Sequence, residues 1–597
     1  YISDNFASGL WLKLGFAPLA MLAIVLLFTR KNRKELRGLF VIFTAFSLFP
    51  VFGYIFSGFS NVNNRWGYIY VVIVSFILAE SLDKMRDLSG KELGIMTAIT
   101  GLYGLVNAFS DKLFVTSIYG AFGLLAAMLI MLFLLNSDKI TFSKKQFRGI
   151  VLGMTALVIF LNAKWFITSG DDSYTHLDTY VSAGDSKKKI SGTALKHLDE
   201  VPGADTDEFY RSTNLVTTGN LRSSSLLYGY NDVSTFSSTL NGGIVNYNNA
   251  MGNCRWNIVS IYDYNFRTYL NTLASVKYMG VAKKNTATIP YGYKKVQETK
   301  NKYYSIYENQ YSLPLGYTYD KIVNADRIDQ YSAAEKQETT MLAAIVEDKD
   351  MDKNSNLTVA AKLPLTAQKL KIKNIKLNGV SMTKDTIEIE KPGATMKFSF
   401  EAPANAETYL SLIGDIYAEK DAKEHFITAR IKAPGVKYGH KFRIDAYTTG
   451  QKEYLFNLGY REGAVKTCTL KFVGTGTLKY KDLAIYSQTM SNYADRVNAL
   501  KENSLQNAKA EKNTVTGNIT VDKDKMLVVT LPYQKGWTAY VDGKKTDIQR
   551  VNYQYIGINL KKGTHDIKLH YQLPGIKLAF MITGCGIIAF VAIIIFN

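Results

Sequence analysis

Seven runs of mostly apolar residues, at 9–28, 38–56, 66–82, 93–109, 113–135, 149–166 and 576–596, set the first limit on what this chain can fold into. A helix of about 20 residues, rising about 1.5 Å per residue, crosses the hydrocarbon core of a bilayer. Six runs precede residue 168 and the seventh closes the sequence, so a mean hydropathy of −0.05 averages two unlike halves. The fourth run, LGIMTAITGLYGLVNAF, is short and contains glycine, and a buried or re-entrant segment is its alternative reading. The expected fold is a polytopic α-helical membrane protein. It carries a large extracellular α/β plus β-sandwich region and ends in a transmembrane helix.

Orientation follows from the excess of Lys and Arg in cytoplasmic loops. TRKNRKELR after the first run holds Arg30, Lys31, Arg33, Lys34 and Arg37, and SLDKMRDLSGKE and NSDKITFSKKQFR are also basic. The alternate loops, GFSNVNNR and SDKLF, carry one basic residue each. Basic loops inside put the region 168–572 outside, in a multi-pass protein of the cell membrane. No signal peptide precedes the first run and the chain opens on Tyr1, so a fragment lacking upstream helices is expected.

The net charge is +20, and residues 1–167 hold 16 basic against 8 acidic side chains, leaving 55 against 43 for the rest. Such a field concentrates anions, here lipid headgroups and phosphate-containing wall polymers. The lysines read as dispersed along the outer region rather than gathered on one face, so no nucleic-acid partner is expected. Three cysteines make no disulfide framework: Cys585 lies in the last run, and Cys254 and Cys468 read as small buried residues. Six histidines without ligand spacing indicate no metal site, and no cofactor or divalent metal is indicated.

Four segments follow the membrane part, 1–167. Residues 168–335 alternate helical and strand patterns: SGTALKHLDEV is helical, EFYRST and SVKYMGVAK are strands, and KKVQETKNKYYSIYEN is a hairpin. Residues 336–487 read as a β-sandwich, with LTVAAKL, LKIKNIKLNG, IEIEKPG, MKFSFEA, TLKFVGTG and LKYKDLAIY between turns. In 488–572, Tyr493, Val497 and Leu500 recur at helical spacing. Asp542-Gly543 supplies the positive φ of a tight hairpin, and HDIKLHY alternates Ile567, Leu569 and Tyr571 with polar residues. Residues 573–597 hold the final helix, so the β-region sits close above the membrane.

The stretches NNRW, FYRSTN, YGYNDVSTFSSTLN, LASVKYMGV, SIYENQYSLPLGYTYD, YQKGWTAYVDGKK and GTHDIKLHYQLPG occur in an order that resembles the bacterial membrane protein YfhO family. The resemblance covers nearly the whole chain. It implies a GT-C-like glycosyltransferase that takes sugar from a polyprenyl-phosphate donor. The acceptor implied is an anionic polymer such as lipoteichoic acid of Gram-positive bacteria, and the donor implies a cytoplasmic-side glycosyltransferase that makes it. In GT-C enzymes the catalytic carboxylate lies in the first outer loop near the N-terminus, a region absent here. The catalytic residue is therefore unknown, and Asp111 in SDKLF is a weak candidate base.

Under that resemblance Arg65 falls on the outer side, where a guanidinium fork suits a lipid-linked phosphate. Trp66 fits the interface or a sugar ring, and Asn63 and Asn64 become hydrogen-bonding partners. The alternative makes Arg65 an interfacial anchor and Trp66 part of the aromatic belt. Lys164 is a second phosphate candidate, or a snorkelling lysine. Tyr210, Arg211, Tyr228, Tyr230 and Asn231 suit carbohydrate. Their alternative is core packing for the tyrosines and an ion pair to Asp207 or Glu208 for Arg211; Trp537 reads as sandwich core. A flippase would need ionisable residues inside several runs, and these are nearly absent. A non-catalytic wall-polysaccharide-binding protein would need only one anchoring helix.

Overall fold

The computed structural model describes residues 19–30, 33–57, 59, 66–108, 115–137, 140–168, 198, 200–201, 203–204, 208–215, 223, 225–237, 239–282, 289–298, 304–414, 426–443 and 450–596. The chain divides into two compact units, Tyr1–Ser186 and Lys187–Asn597.

The first unit is helical: α1 Leu19–Thr29, α2 Lys34–Leu48, α3 Pro50–Phe56, α4 Gly67–Leu82, α5 Gly90–Ala108, α6 Val115–Asn136 and α7 Lys144–Thr168. Leu22, Leu26, Ile77, Met96, Leu132 and Phe147 are buried in its core. The run 38–56 is not one straight helix. Proline lacks an N–H and pushes the preceding residue out of the helical region; Phe49 accordingly has φ −105° and ψ 118°, and α2 and α3 meet at 97°. The fourth run is a continuous helix, α5. It starts on a capping box in which the Glu92 amide donates to Ser89 Oγ and the Ser89 amide to Glu92 Oε2. Ser143 and Gln146 start α7 in the same way.

Among the described residues, Ile576–Phe596 is the one helix long and apolar enough to cross a membrane unaided, and the bent pair α2–α3 is a second candidate. The sequence reading of seven crossings thus exceeds what the described helices supply. The three basic loops do meet at one end of the unit. Arg30 forks onto Glu92, Arg33 onto Glu80 and Arg148 onto Asp83, with Nε–O distances of 2.8, 2.9 and 3.0 Å. Hydrogen bonds from Arg148 and then Lys144 to Asp83, and from Arg30 to Glu92, hold both carboxyls down at about 2.

The second unit is mostly β. Arg211–Leu215 pairs in parallel with Val276–Ala282, which continues antiparallel into the hairpin Tyr304–Asn309 and Tyr293–Glu298. A seven-stranded sheet takes Gly316–Tyr319, Lys321–Asn324, Ala344–Val346 and Thr358–Val359 from one part of the chain. Lys525–Pro532, Gln549–Val551 and Tyr555–Leu560 come from another. The segment boundaries at 335 and 487 therefore run through a single sheet.

Between these parts lies a sandwich. Its four-stranded sheet orders Gln368–Leu370, Asp482–Thr489, Ala406–Ile413 and Glu453–Arg461. Its five-stranded sheet orders Lys373–Asn378, Thr395–Ser399, Thr467–Val473, Phe426–Ala433 and Val436–Arg443. Leu410, Phe456 and Ile485 of the first sheet share a core with Phe398, Leu470 and Ile431 of the second. Cys254 and Cys468 are free, buried in that same core, and burial pushes both thiols up to about 12.

Buried charges bind the parts together. Glu338 and Arg496 form an ion pair at 2.5 Å, the two side chains 0% and 8% exposed. Glu407 of the sandwich accepts from the Thr268 amide and from Asn457 Nδ2. Tyr493–Lys501 is a helix that buries Tyr493, Val497 and Leu500, matching their spacing.

Near the C-terminus the Asp542-Gly543 turn has φ of 51° and 75°, linking Trp537–Val541 to Lys544–Thr546. Gly563–Tyr571 buries Ile567 and Leu569, and residues 572–575 alone separate it from Ile576–Phe596. The Gln572 amide donates to the Gly536 carbonyl at 3.0 Å, fastening that link. The final helix buries none of its side chains, so its apolar surface needs a non-aqueous surrounding.

Candidate functional site

Asn63, Asn64, Arg65 and Asp111 lie outside the described residues. Lys164 falls in the final turns of α7. Trp66 immediately precedes α4 and is 6% exposed, its ring centroid 5.0 Å from that of Phe56 and 6.1 Å from that of Phe43. An aromatic cluster, rather than an open interface, surrounds this indole.

The outer candidates separate into two groups. Residues of FYRST and YGYND come together because Ser212 bridges Asp232 in parallel and the Ser212 amide donates to the Asn231 carbonyl. Asn231 Nδ2 donates to the Tyr210 carbonyl at 3.2 Å, and Asn214 Nδ2 to Tyr230 Oη at 3.2 Å. Tyr210 and Tyr230 are half-buried over Val201, Ala204 and Tyr278, while Asn231 is exposed. Lys277 Nζ lies 5.4 Å from the Tyr210 ring centroid. The result is a shallow patch of aromatic edges, amides and one ammonium, a combination that packs against sugar CH groups while hydrogen-bonding hydroxyls.

Arg211 does not belong to this patch. Strand alternation turns it into the body of the unit, where Nη1 donates to the Ala274 carbonyl and Thr530 Oγ1, and Nη2 to the Thr530 carbonyl at 2.8 Å. Burial lowers its pKa, and the partners described for it are carbonyls and a hydroxyl, Asp207 lying outside the described residues. Tyr228 ends the short helix Ser225–Tyr228 half-buried. Trp537 is half-buried against the hydrophobic cluster of its sheet, 5.2 Å from Tyr571.

The structure adds Asn214, Lys277 and Asp232 to what sequence reasoning had found. The signal for the first two was the strand pair RSTNL and VKYMGVA, whose parallel register sets them beside the YGYND loop. Asp232 accepts from Ser234 N and Oγ, and burial pushes its carboxyl up to about 6 despite those bonds.

A bilayer-length apolar helix joined to a large β-rich body defines a membrane-attached protein with a substantial domain beside the bilayer. The chain belongs to the YfhO family, whose model, described as bacterial membrane protein YfhO, matches residues 5–583. A relative from Bacillus subtilis (strain 168), described as uncharacterized protein YfhO, is 25% identical over 557 residues, covering 89% of this chain. The chain spans 59% of that relative's length. Among solved structures, the arabinofuranosyltransferase AftD from Mycobacteria aligns with 93% of this chain and 58% of its own, at 10% identity and a TM-score of 0.21. The C-terminal CBM6 of LamC from Zobellia galactanivorans aligns over its full length and 21% of this chain, at 9% identity and a TM-score of 0.14. Scores this low assign no fold.

Proposed function

We propose that the protein is a membrane glycosyltransferase moving a sugar from a polyprenyl-phosphate donor to an extracellular polymer such as lipoteichoic or wall teichoic acid. The observation that carries this reading is the tight coupling of a bilayer-length helix to a β-rich unit with a polar-aromatic patch at Tyr210, Tyr230 and Asn231. Membership of a bacterial membrane-protein family supports it. In this reading the chain crosses the membrane several times with its basic loops inside, and the β-rich unit faces outward.

The donor phosphate rests near Arg65, with Asn63, Asn64 and Trp66 at the same helix head and Lys164 as a second cation. An acceptor hydroxyl attacks the anomeric carbon, the bond from that carbon to the phosphate oxygen breaks, and polyprenyl phosphate leaves with the electron pair. Cations stabilise the charge on the leaving oxygen. The hydroxyl proton passes to a carboxylate base, for which Asp111 is the candidate within this chain. A single displacement inverts the anomeric centre.

Gene deletion, with complementation by the parent and by Arg65→Ala, tests the proposal by the sugar-to-phosphate ratio of purified surface polymer. The expected result is loss of sugar on deletion, restored by the parent and not by the variant. An unchanged ratio on deletion overturns the reading.

A further inference from the structure

The five-stranded sheet of the sandwich gathers cations that look scattered in sequence. Four of its strands alternate sharply, with Met396, Phe398, Leu470, Ile431 and Phe442 facing the core and the residues between them facing solvent, while the edge strand Lys373–Asn378 is exposed throughout. Cross-strand register lines those outward residues up. Lys376 opposes Lys397, Lys397 opposes Thr469, Thr469 opposes Lys432, and Lys432 opposes Lys437. In the neighbouring row Thr395 opposes Lys471, and Lys471 opposes Arg430. Adjacent strands lie about 4.8 Å apart, so the first row crosses five strands in about 19 Å, with the second about 7 Å away.

All six cations are exposed. Among the described residues none of their side chains makes an ion pair or hydrogen bond, whereas Lys373 pairs with Glu401 and Lys369 with Asp482. Like charges directly opposite one another destabilise a sheet. Lysines guard sheet edges against unwanted pairing, which accounts for Lys376 and Lys437 on the outer strands. It leaves Lys397, Lys432, Lys471 and Arg430, on inner strands, without a structural reason.

We propose that this face binds a linear polyanion bearing repeated phosphates, the polymer lying along the two rows. Thr395 and Thr469 stand in these rows beside the cations, and Thr428 lies outside them opposite Lys441, offering hydroxyls to a polar chain. A surface that docks on lipid headgroups presents apolar side chains among its cations, and a single-stranded nucleic acid needs free aromatic faces for its bases. The two rows interleave threonines with their cations, while exposed Val473, and Phe426 with its ring under Lys441, lie beyond them. The proposal rests on the glycosyltransferase reading only for the source of the polymer, since binding requires no transfer.

The test uses the full chain in zwitterionic nanodiscs, titrated with inorganic polyphosphate and separately with vesicles containing phosphatidylglycerol. Three forms are compared: the parent, the variant Lys397→Glu/Lys432→Glu/Lys471→Glu, and a control of equal net charge at three exposed lysines on separate elements, Lys294→Glu/Lys362→Glu/Lys535→Glu. Polyphosphate binding is expected to weaken at least about tenfold in the sheet variant, to stay within about twofold in the control, and to fall with rising salt in the parent. A Lys→Gln triple at the same sheet positions, with thermal unfolding recorded, separates lost binding from lost folding. Equal weakening in both charge-reversed forms, no weakening in a folded sheet variant, or parental preference for vesicles overturns the proposal. An unchanged sugar-to-phosphate ratio on gene deletion, with polyphosphate binding intact, would instead count against the transferase mechanism alone.

Discussion

The helical unit and the sandwich handle positive charge in opposite ways. In the first, Arg30, Arg33 and Arg148 each fork onto a carboxylate contributed by a different loop or helix end, so its cations act as fasteners. In the second, six cations stand in register across five strands with no carboxylate among their cross-strand partners. Charge count alone would not separate the two regions. Pairing does: a satisfied arginine reports on architecture, and an unsatisfied row reports on something outside the chain.

The largest effect expected comes from breaking a pair that is fully interior. Arg496→Ala strips the partner from Glu338 and should cost about 3–5 kcal/mol, read as a fall in the unfolding midpoint of the β-rich unit. Arg30→Ala, which uncovers the largely buried Glu92, should cost about 2 kcal/mol in the helical unit, measured by thermal unfolding in detergent. If either variant is as stable as the parent, pairing is not what distinguishes these cations.

Glu407 sharpens the contrast through pH. Burial raises its carboxyl to about 7 against bonds from Thr268, so the ionised form is disfavoured in the folded chain. A raised carboxyl contributes stability below its unfolded value of about 4.5 that is lost as pH rises through 7. Glu407→Gln should therefore match the parent near pH 5 and exceed it at pH 8 by on the order of 2 kcal/mol. A gap that shrinks with rising pH would reverse the assignment. The smallest effect is a gain: Lys397→Glu, placed opposite Lys376, should stabilise the sandwich by up to about 1 kcal/mol in low salt, fading as salt is added.

What the sequence revealed divides by the range of the interaction involved. The Asp542-Gly543 hairpin, the helix at Tyr493–Lys501 and the sandwich strands in LKIKNIKLNG, MKFSFEA, TLKFVGTG and LKYKDLAIY were legible because turn chemistry and alternation are local. Ala406–Ile413, Phe426–Ala433, Val436–Arg443 and Glu453–Arg461 were not read, and LTVAAKL and IEIEKPG belong to other sheets. The break at Pro50 was passed over, because the run 38–56 was read by hydropathy alone. The course of Arg211 was not legible: it sits among aromatic residues in FYRST, but the hydroxyl and carbonyl that hold it belong to Thr530, 319 positions further on. The basic face was hidden for the same reason. Lys376, Lys397, Lys432 and Lys471 are well separated along the chain, and only the strand order brings them side by side.

The link at 572–575 has a mechanical consequence. Four residues reach at most about 14 Å even when fully extended, and one of them, Gln572, is tied back to Gly536. The final strand is thus a short stalk rather than a tether. It fixes the altitude of its sheet over the bilayer, so tension on anything that sheet grips passes directly into the anchoring helix instead of being absorbed by slack.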